Sequence, residues 1–277
     1  MVQRAKLWKC RLCRAALALA CYSGFMIRAA EPPLILPEEI LVGRSLQTGV
    51  IVHLGPLSHI QSAPPKEGEE SSEAALEAPD DSPPVRVTVR SHSPSLKLAL
   101  NPLDAGSSAI TVVLAGRTRS AHFYVQAFAD SGTATYAAEA AGFAPATGTV
   151  RFAPSGVVLL GPEQVTLEGG AQKILLRTVA LDPESNREPV CAQPLTGGKP
   201  LTITVRNGNQ SVGIIPSAGV IPVGSDTGVL EFVPSAAGRT SISVEQPPGW
   251  ASPGDMTSLD ITVRRGEEAP ETAAVAP

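Results

Sequence analysis

Two stretches carry acids in a setting where they could do chemistry. Phe128-Ala129-Asp130-Ser131-Gly132-Thr133-Ala134 places an aspartate after an apolar pair, and Asp226-Thr227-Gly228 repeats the acid–hydroxyl–glycine order later in the chain. Two carboxylates close enough to share one proton cannot both ionise, so one acts as acid while the other acts as base. Such a dyad would hydrolyse a peptide bond at acid pH. The surroundings argue otherwise. Asp130-Ser131-Gly132 lies between AHFYVQAFA and TATYAAEA, two alternating apolar runs, and reads as the turn of a hairpin. Gly132 would supply the positive φ of that turn and Asp130 would cap it through its own backbone. Ser225 stands before Asp226 where a dyad loop would carry an apolar residue. Both aspartates are therefore expected to be turn residues.

No other pattern in the chain points to a reaction. The histidines are His53, His59, His92 and His122, and no two stand at metal-ligand spacing. His122 falls opposite the apolar face of its strand and should meet solvent. There is no nucleophile elbow, phosphate loop or dinucleotide-binding turn. Tyr124, Phe128 and Tyr136 could line a sugar-binding platform, although packing across a hairpin explains them more simply. No catalytic, cofactor-binding or metal-ligating residue is expected, and no cofactor.

The elements that would position such residues are short strands. Apolar residues make up 43% of the 277, but aromatics only 4%, so any core must be built mainly of Val, Leu, Ile and Ala. Gly (25) and Pro (26) break the apolar runs at short intervals, which favours many strands over long helices. The first 30 residues differ. They hold six basic side chains, no acid and the apolar run Ala15–Ile27, the layout of a secretory signal peptide ending near Ala29 or Ala30. The run is short for a membrane span. Without it the chain has 16 basic and 26 acidic residues, net −10. That charge disfavours nucleic acid and anionic membranes as partners. Cys10, Cys13 and Cys21 all fall inside the segment, and Cys10-x-x-Cys13 is only half of a zinc site. Leu19-Ala20-Cys21 is a faint lipid-attachment pattern. Cys191 would be the sole thiol of the mature chain.

An internal repeat organises the remainder. PVRVTVRS (Pro84–Ser91) matches PLTITVRN (Pro200–Asn207), and each follows an apolar strand, TGVIVHL or ILLRTVAL. AITVVLAG and AHFYVQAFA follow in the first half, GVLEFVPS and TSISVEQ in the second. ATGTVRFAP and SLDITVRR close the two halves. Repeating short strands with turns between them predict an all-β chain of two tandem β-sandwiches, over residues 31–162 and 163–265. Ser62–Pro84 holds seven acidic residues and several prolines, and predicts a disordered acidic loop. The tail 266–277 is similar.

These stretches together resemble tandem bacterial immunoglobulin-like repeats of large secreted or cell-surface proteins. LVGRSLQTGVIVHLG, VRVTVRSHSPSLKLAL, ITVRNGNQSVGIIPSAG and above all FYVQAFADSGTATYAAEAAGFAPATGTVRFAPSG (Phe123–Gly156) carry the resemblance, over most of residues 36–265. It implies immunoglobulin-like sandwiches, a structural or adhesive role outside the cytoplasm, and further modules in series. It transfers no catalytic residue. The long acidic loop and the presence of only two modules depart from the pattern. Three functions stay open: an exported structural or adhesive module, a module binding carbohydrate or protein through loops at one sandwich end, and a secreted hydrolase.

Overall fold

The computed structural model describes residues 31–55, 83–115 and 118–266. The expected signal segment, residues 62–82 of the acidic loop, residues 267–277 of the tail, His59 and the first three cysteines lie outside the described residues. The chain is all-β; among the described residues, two single 3-10 turns, Leu167–Gly169 and Gly254–Thr257, are the only helical elements besides the strands.

Nine strands build the first sandwich: β1 (Leu34–Ile35), β2 (Glu39–Gly43), β3 (Gln47–Leu54), β4 (Val85–Ser91), β5 (Leu96–Ala99), β6 (Ala109–Leu114), β7 (Ser120–Ala127), β8 (Thr133–Ala140) and β9 (Ala146–Ala153). They form two sheets, β1-β3-β7-β5 and β2-β9-β8-β4-β6. Alternation explains which side chains face inward. Val50 and Val52 of β3, Val87 and Val89 of β4, and Phe123 and Val125 of β7 are buried in one core. Its centre is an edge-to-face pair, Phe123 on Tyr136, with centroids 6.0 Å apart. Gly148 lies opposite Tyr136 in the ladder, and a Cβ there would stand 2.4 Å from the tyrosine ring.

The second sandwich comprises β10 (Ser155–Leu160), β11 (Gln164–Thr166), β12 (Gln172–Leu181), β13 (Pro189–Ala192), β14 (Leu201–Asn207), β15 (Gly213–Ile214), β16 (Ala218–Ile221), β17 (Thr227–Pro234), β18 (Gly238–Val244) and β19 (Ser258–Arg264). Its sheets are β10-β12-β17-β15, with β13 beside β12, and β11-β19-β18-β14-β16. Apart from β13, the order repeats that of the first sandwich strand for strand. The parallel pairing of β2 with β9 recurs as β11 with β19. A second aliphatic core, with Phe232 as its one buried aromatic, fills this sandwich.

Three details differ from the sequence reading. The repeat pairs β7 with β17 and β8 with β18, not AITVVLAG with GVLEFVPS. The true counterpart of β6 is β16, a four-residue strand followed by Pro222 and too short to register as a strand by alternation. Asp130-Ser131-Gly132 is a turn, with φ +86° at Gly132, but not a hairpin. β7 pairs with β3 and β5, and β8 with β4 and β9, so this link carries the chain from one sheet to the other. Finally, β10 lies within the span expected for the first sandwich, yet it pairs with β12 over six residues.

Candidate functional site: the joint between the two sandwiches

The chain passes from β9 to β10 through Pro154 alone. A linker of one residue leaves the sandwiches no slack, and the surfaces flanking it are held by backbone bonds. Gln47 donates its N–H to the Pro194 carbonyl at 2.9 Å and Thr196 donates to the Ser45 carbonyl at 3.0 Å, forming a bridge between Leu46 and Leu195. Both leucines are buried. On the other flank Arg44 donates its N–H to Ala153, and the Ser155 hydroxyl donates to the Arg44 carbonyl at 2.8 Å.

Three glutamine side chains complete the seal. A primary amide presents one acceptor and two donors, so it can take the place of a peptide group. Gln193 does this beside β2. It accepts from the Gly43 N–H at 2.9 Å and donates to the Leu41 carbonyl at 2.7 Å, closing that strand's edge from the second sandwich. Gln47 donates to the carbonyls of Leu195 (2.9 Å) and Pro102 (2.7 Å). Gln126, its partner across the β3–β7 ladder, donates to Gln47 Oε1 at 3.0 Å and to the Asp104 carbonyl at 2.9 Å, and accepts from the Gly106 N–H. Gln47 and Gln126 are 0% exposed and Gln193 5%. Buried amides cost free energy unless paired, and here each one is satisfied. Close approach of the two backbones is possible because residue 197 is glycine: a Cβ there would stand 1.9 Å from the Asp104 carbonyl oxygen.

Both aspartates flank this joint without meeting. Asp130 lies 3.6 Å from Arg44, whose guanidinium also donates to the Gly249 carbonyl of the second sandwich at 3.2 Å. Asp226 is held by Arg177 at 3.1 Å, and its backbone carbonyl accepts from the Thr178 N–H. The Thr178 hydroxyl in turn donates to the Gln193 carbonyl at 2.7 Å, which braces the segment carrying Gln193. Each acid is thus committed to its own arginine, and no hydrogen bond links the two.

The remaining sequence candidates scatter. Tyr136 is buried in the core, with its pKa pushed up to about 12 by desolvation, and its hydroxyl has no hydrogen-bond partner among the described residues. Phe128 is exposed with Lys97 5.1 Å above its ring, and Tyr124 is half-buried on the outer face of β7. They form no common platform. His122 and His53 are exposed on outer faces, and the His92 ring meets the Thr135 hydroxyl at 3.3 Å. Cys191 is exposed on β13. Partial desolvation of its sulfur pushes the thiol pKa up, and a side-chain hydrogen bond with Gln193 opposes the shift. Among the described residues, no three His, Cys, Asp or Glu side chains cluster to hold a metal, and no helix is long and apolar enough to cross a membrane.

Sequence reading missed the joint. The available signal was a polar amide at a core-flanking strand position, in QTGVIVHL and in FYVQAFA. An isolated glutamine there looks like an ordinary solvent-facing residue. Gln47 is buried by tertiary partners at Pro102 and Leu195, and Gln126 by Gln47 and the loop carrying Asp104 and Gly106.

No protein-family model and no curated protein matches the chain. Solved structures with a similar arrangement include domains 4–9 of the surface layer protein SbsC, at 12% identity and TM-score 0.28, over 84% of this chain and 31% of that one. The structure of InvD from Yersinia pseudotuberculosis matches at 15% identity and TM-score 0.31, over 91% of this chain and 62% of that one. A third is invasin, a bacterial integrin-binding protein, at 13% identity and TM-score 0.29, over 84% of this chain and 39% of that one. The chain thus spans less than two thirds of each of these.

Proposed function

We propose that this chain is an exported, non-enzymatic structural module, two immunoglobulin-like sandwiches held in fixed relation so that they act as a stiff spacer at a cell surface. The observation that carries this reading is the joint: a one-residue linker flanked by buried, fully paired glutamines. Independent domains on a flexible tether would not need such a seal. The module boundary in this reading is Pro154, with sandwiches over 31–154 and 155–265. The signal-like first 30 residues support export, and an adhesive role for the outer end follows the resemblance to bacterial surface repeats.

The test is the distribution of one inter-sandwich distance. Spin labels at Arg90→Cys and Arg206→Cys, in a chain whose own cysteines are serine, report β4 against β14. A single narrow distance is expected, broadened by Gln193→Ala. A broad distribution in the parent would refute the spacer. N-terminal sequencing of surface-extracted protein tests export separately.

One observation favours a second reading, ligand binding. A shallow groove of about 460 Å³ runs along Asn209, Arg239, Thr240, Ser241, Asp260 and Thr262 on the second sandwich. Its hydroxyls and charges suit a polyhydroxylated ligand such as a polysaccharide. Glycan-array binding that is lost in Asp260→Ala would support it.

A further inference from the structure

Sheet edges offer unpaired backbone groups to any passing strand, and proteins blunt them with charge, proline, shortness or cover. Most edges here are blunted. β1 and β15 have two residues each and β11 has three; β5 carries Lys97, β2 carries Glu39 and β13 begins with Pro189. β10 is six residues long and uncharged, but Gln246 clamps the N–H and carbonyl of Val157 at 2.8 Å each and Ala251 donates to the Ser155 carbonyl. β16 leans on β17: Gly228 lacks a Cβ where one would stand 2.4 Å from the Val220 carbonyl oxygen.

β6 has none of these devices among the described residues. Its sequence is AITVVL, six residues without charge or proline. Its hydrogen-bond phase follows from one contact. Ser91 donates to the Ser108 carbonyl at 2.8 Å, in register with the β4–β6 ladder. Residues 110, 112 and 114 therefore exchange bonds with β4, and the N–H and carbonyl groups of Ala109, Thr111 and Val113 point to the free edge. Among the described residues, only the Ala109 carbonyl has another partner, the Ser107 hydroxyl at 2.5 Å. The Val113 side chain is 51% exposed and Ile110 is half-buried at the rim of the core.

We propose that β6 pairs antiparallel with β6 of a second copy, joining two five-stranded sheets into one. The strand is complementary to itself. Centred on Thr111, the outward groups fall into register: Thr111 opposite Thr111, Ala109 opposite Val113. Ile110 then meets Val112 across the seam, which closes the open rim of the core. No charge on the strand opposes a like strand, whereas like charges directly opposite would be repulsive. The acidic, proline-rich sequence over 62–82 is a poor strand former and a weak competitor for the edge.

Sedimentation equilibrium of the full chain, under reducing conditions that prevent cysteine bridges, tests this. The expected mass rises with concentration from 28.6 kDa toward twice that. Thr111→Pro removes an outward donor and spares every β4 bond, so it should weaken self-association by about tenfold or more with little change in melting temperature. Val113→Lys, a surface change, should do the same, and Thr111→Val should leave association intact. Three results would overturn the proposal. One is a parent that stays monomeric at every concentration. Another is a dimer indifferent to both Thr111→Pro and Val113→Lys. The third is a monomer that associates only when residues 62–82 are deleted, which would assign the edge to the chain's own segment.

Discussion

Apart from β13 the two sandwiches share one strand order, and one row of outward side chains sets them apart. At the base of the first, Lys97, Gln126 and Gln47 stand side by side on the outer face of β5, β7 and β3. The equivalent row of the second is Ile214, Val233 and the residue preceding β12, Ala171. In the first, both glutamines are buried, Gln47 against the Leu195 carbonyl of the neighbouring sandwich and Gln126 against Gln47 and the loop carrying Asp104 and Gly106. In the second, Ile214 is 64% and Val233 46% exposed. The topologies match because the inward alternation matches. The mode of association differs because outward residues, which the fold leaves free to vary, decide what a face can hold.

The largest effect that would sharpen this comparison comes from the two cores. Phe123→Ala and Phe232→Ala should each cost about 3–5 kcal/mol, since each removes a fully buried ring. Differential scanning calorimetry should show the joint coupling the two sandwiches, so that either change lowers the main transition. A lesion that melts one sandwich and leaves the other at its parental temperature would break the picture of a sealed joint. Next is the glutamine row. Gln47→Leu takes the side-chain donor from the Pro102 carbonyl and one of two donors from the Leu195 carbonyl, which keeps the Gly224 N–H, at roughly 1–3 kcal/mol for the buried group left unpaired. Val233→Gln, at the matching exposed position, should move chemical-denaturation midpoints hardly at all. Equal losses at the two sites would show that the amide row is not specific to the joint.

Smaller changes follow. Gly132→Val forces a β-branched residue to φ +86° and should cost about 1–3 kcal/mol, read as a lower melting temperature. No side chain stands within 4 Å of the new Cβ, so crowding adds nothing. Tyr136→Phe removes a buried, unpaired hydroxyl from the first core and should stabilise it by up to about 1 kcal/mol. The pH dependence has a definite sign. Tyr136 titrates higher in the folded state, near 12, than in the unfolded chain, near 10. Its contribution is complete below pH 10 and is lost as the pH rises from about 10 toward 12. Alkaline melts of Tyr136→Phe should lack that slope, and an unchanged slope would refute the assignment. Asp130→Ala is expected to do least. An exposed ion pair is worth about 0–1 kcal/mol, so the melt should barely move. Aspartate-dependent peptide cleavage at acid pH, present in the parent and absent in the variant, would overturn the structural reading.

Much of this architecture was legible in the chain itself. Alternation in PVRVTVRS and PLTITVRN marked β4 and β14 as equivalent strands, because the period of two records which face is buried, and that record is local. Gly132 announced a positive φ, because lacking a Cβ is a property of the residue alone. Sheet membership was not legible. AHFYVQAFA and TATYAAEA look like the arms of a hairpin, and only their partners, β3 and β5 for one, β4 and β9 for the other, send them to opposite sheets. The joint lay further out of reach. Gln47, Gln126 and Gln193 are ordinary polar residues in sequence; Gln47 became buried because a distant loop carrying Pro194, Leu195 and Thr196 closed over it and brought in Gln193, and Gln126 because the loop carrying Asp104 and Gly106 folded onto it. Burial of an amide depends on what arrives from elsewhere in the chain. Short-range patterning therefore determined the strands and their inner faces, and the tertiary structure alone decided which strands pair, which outward residues meet and where two sandwiches lock.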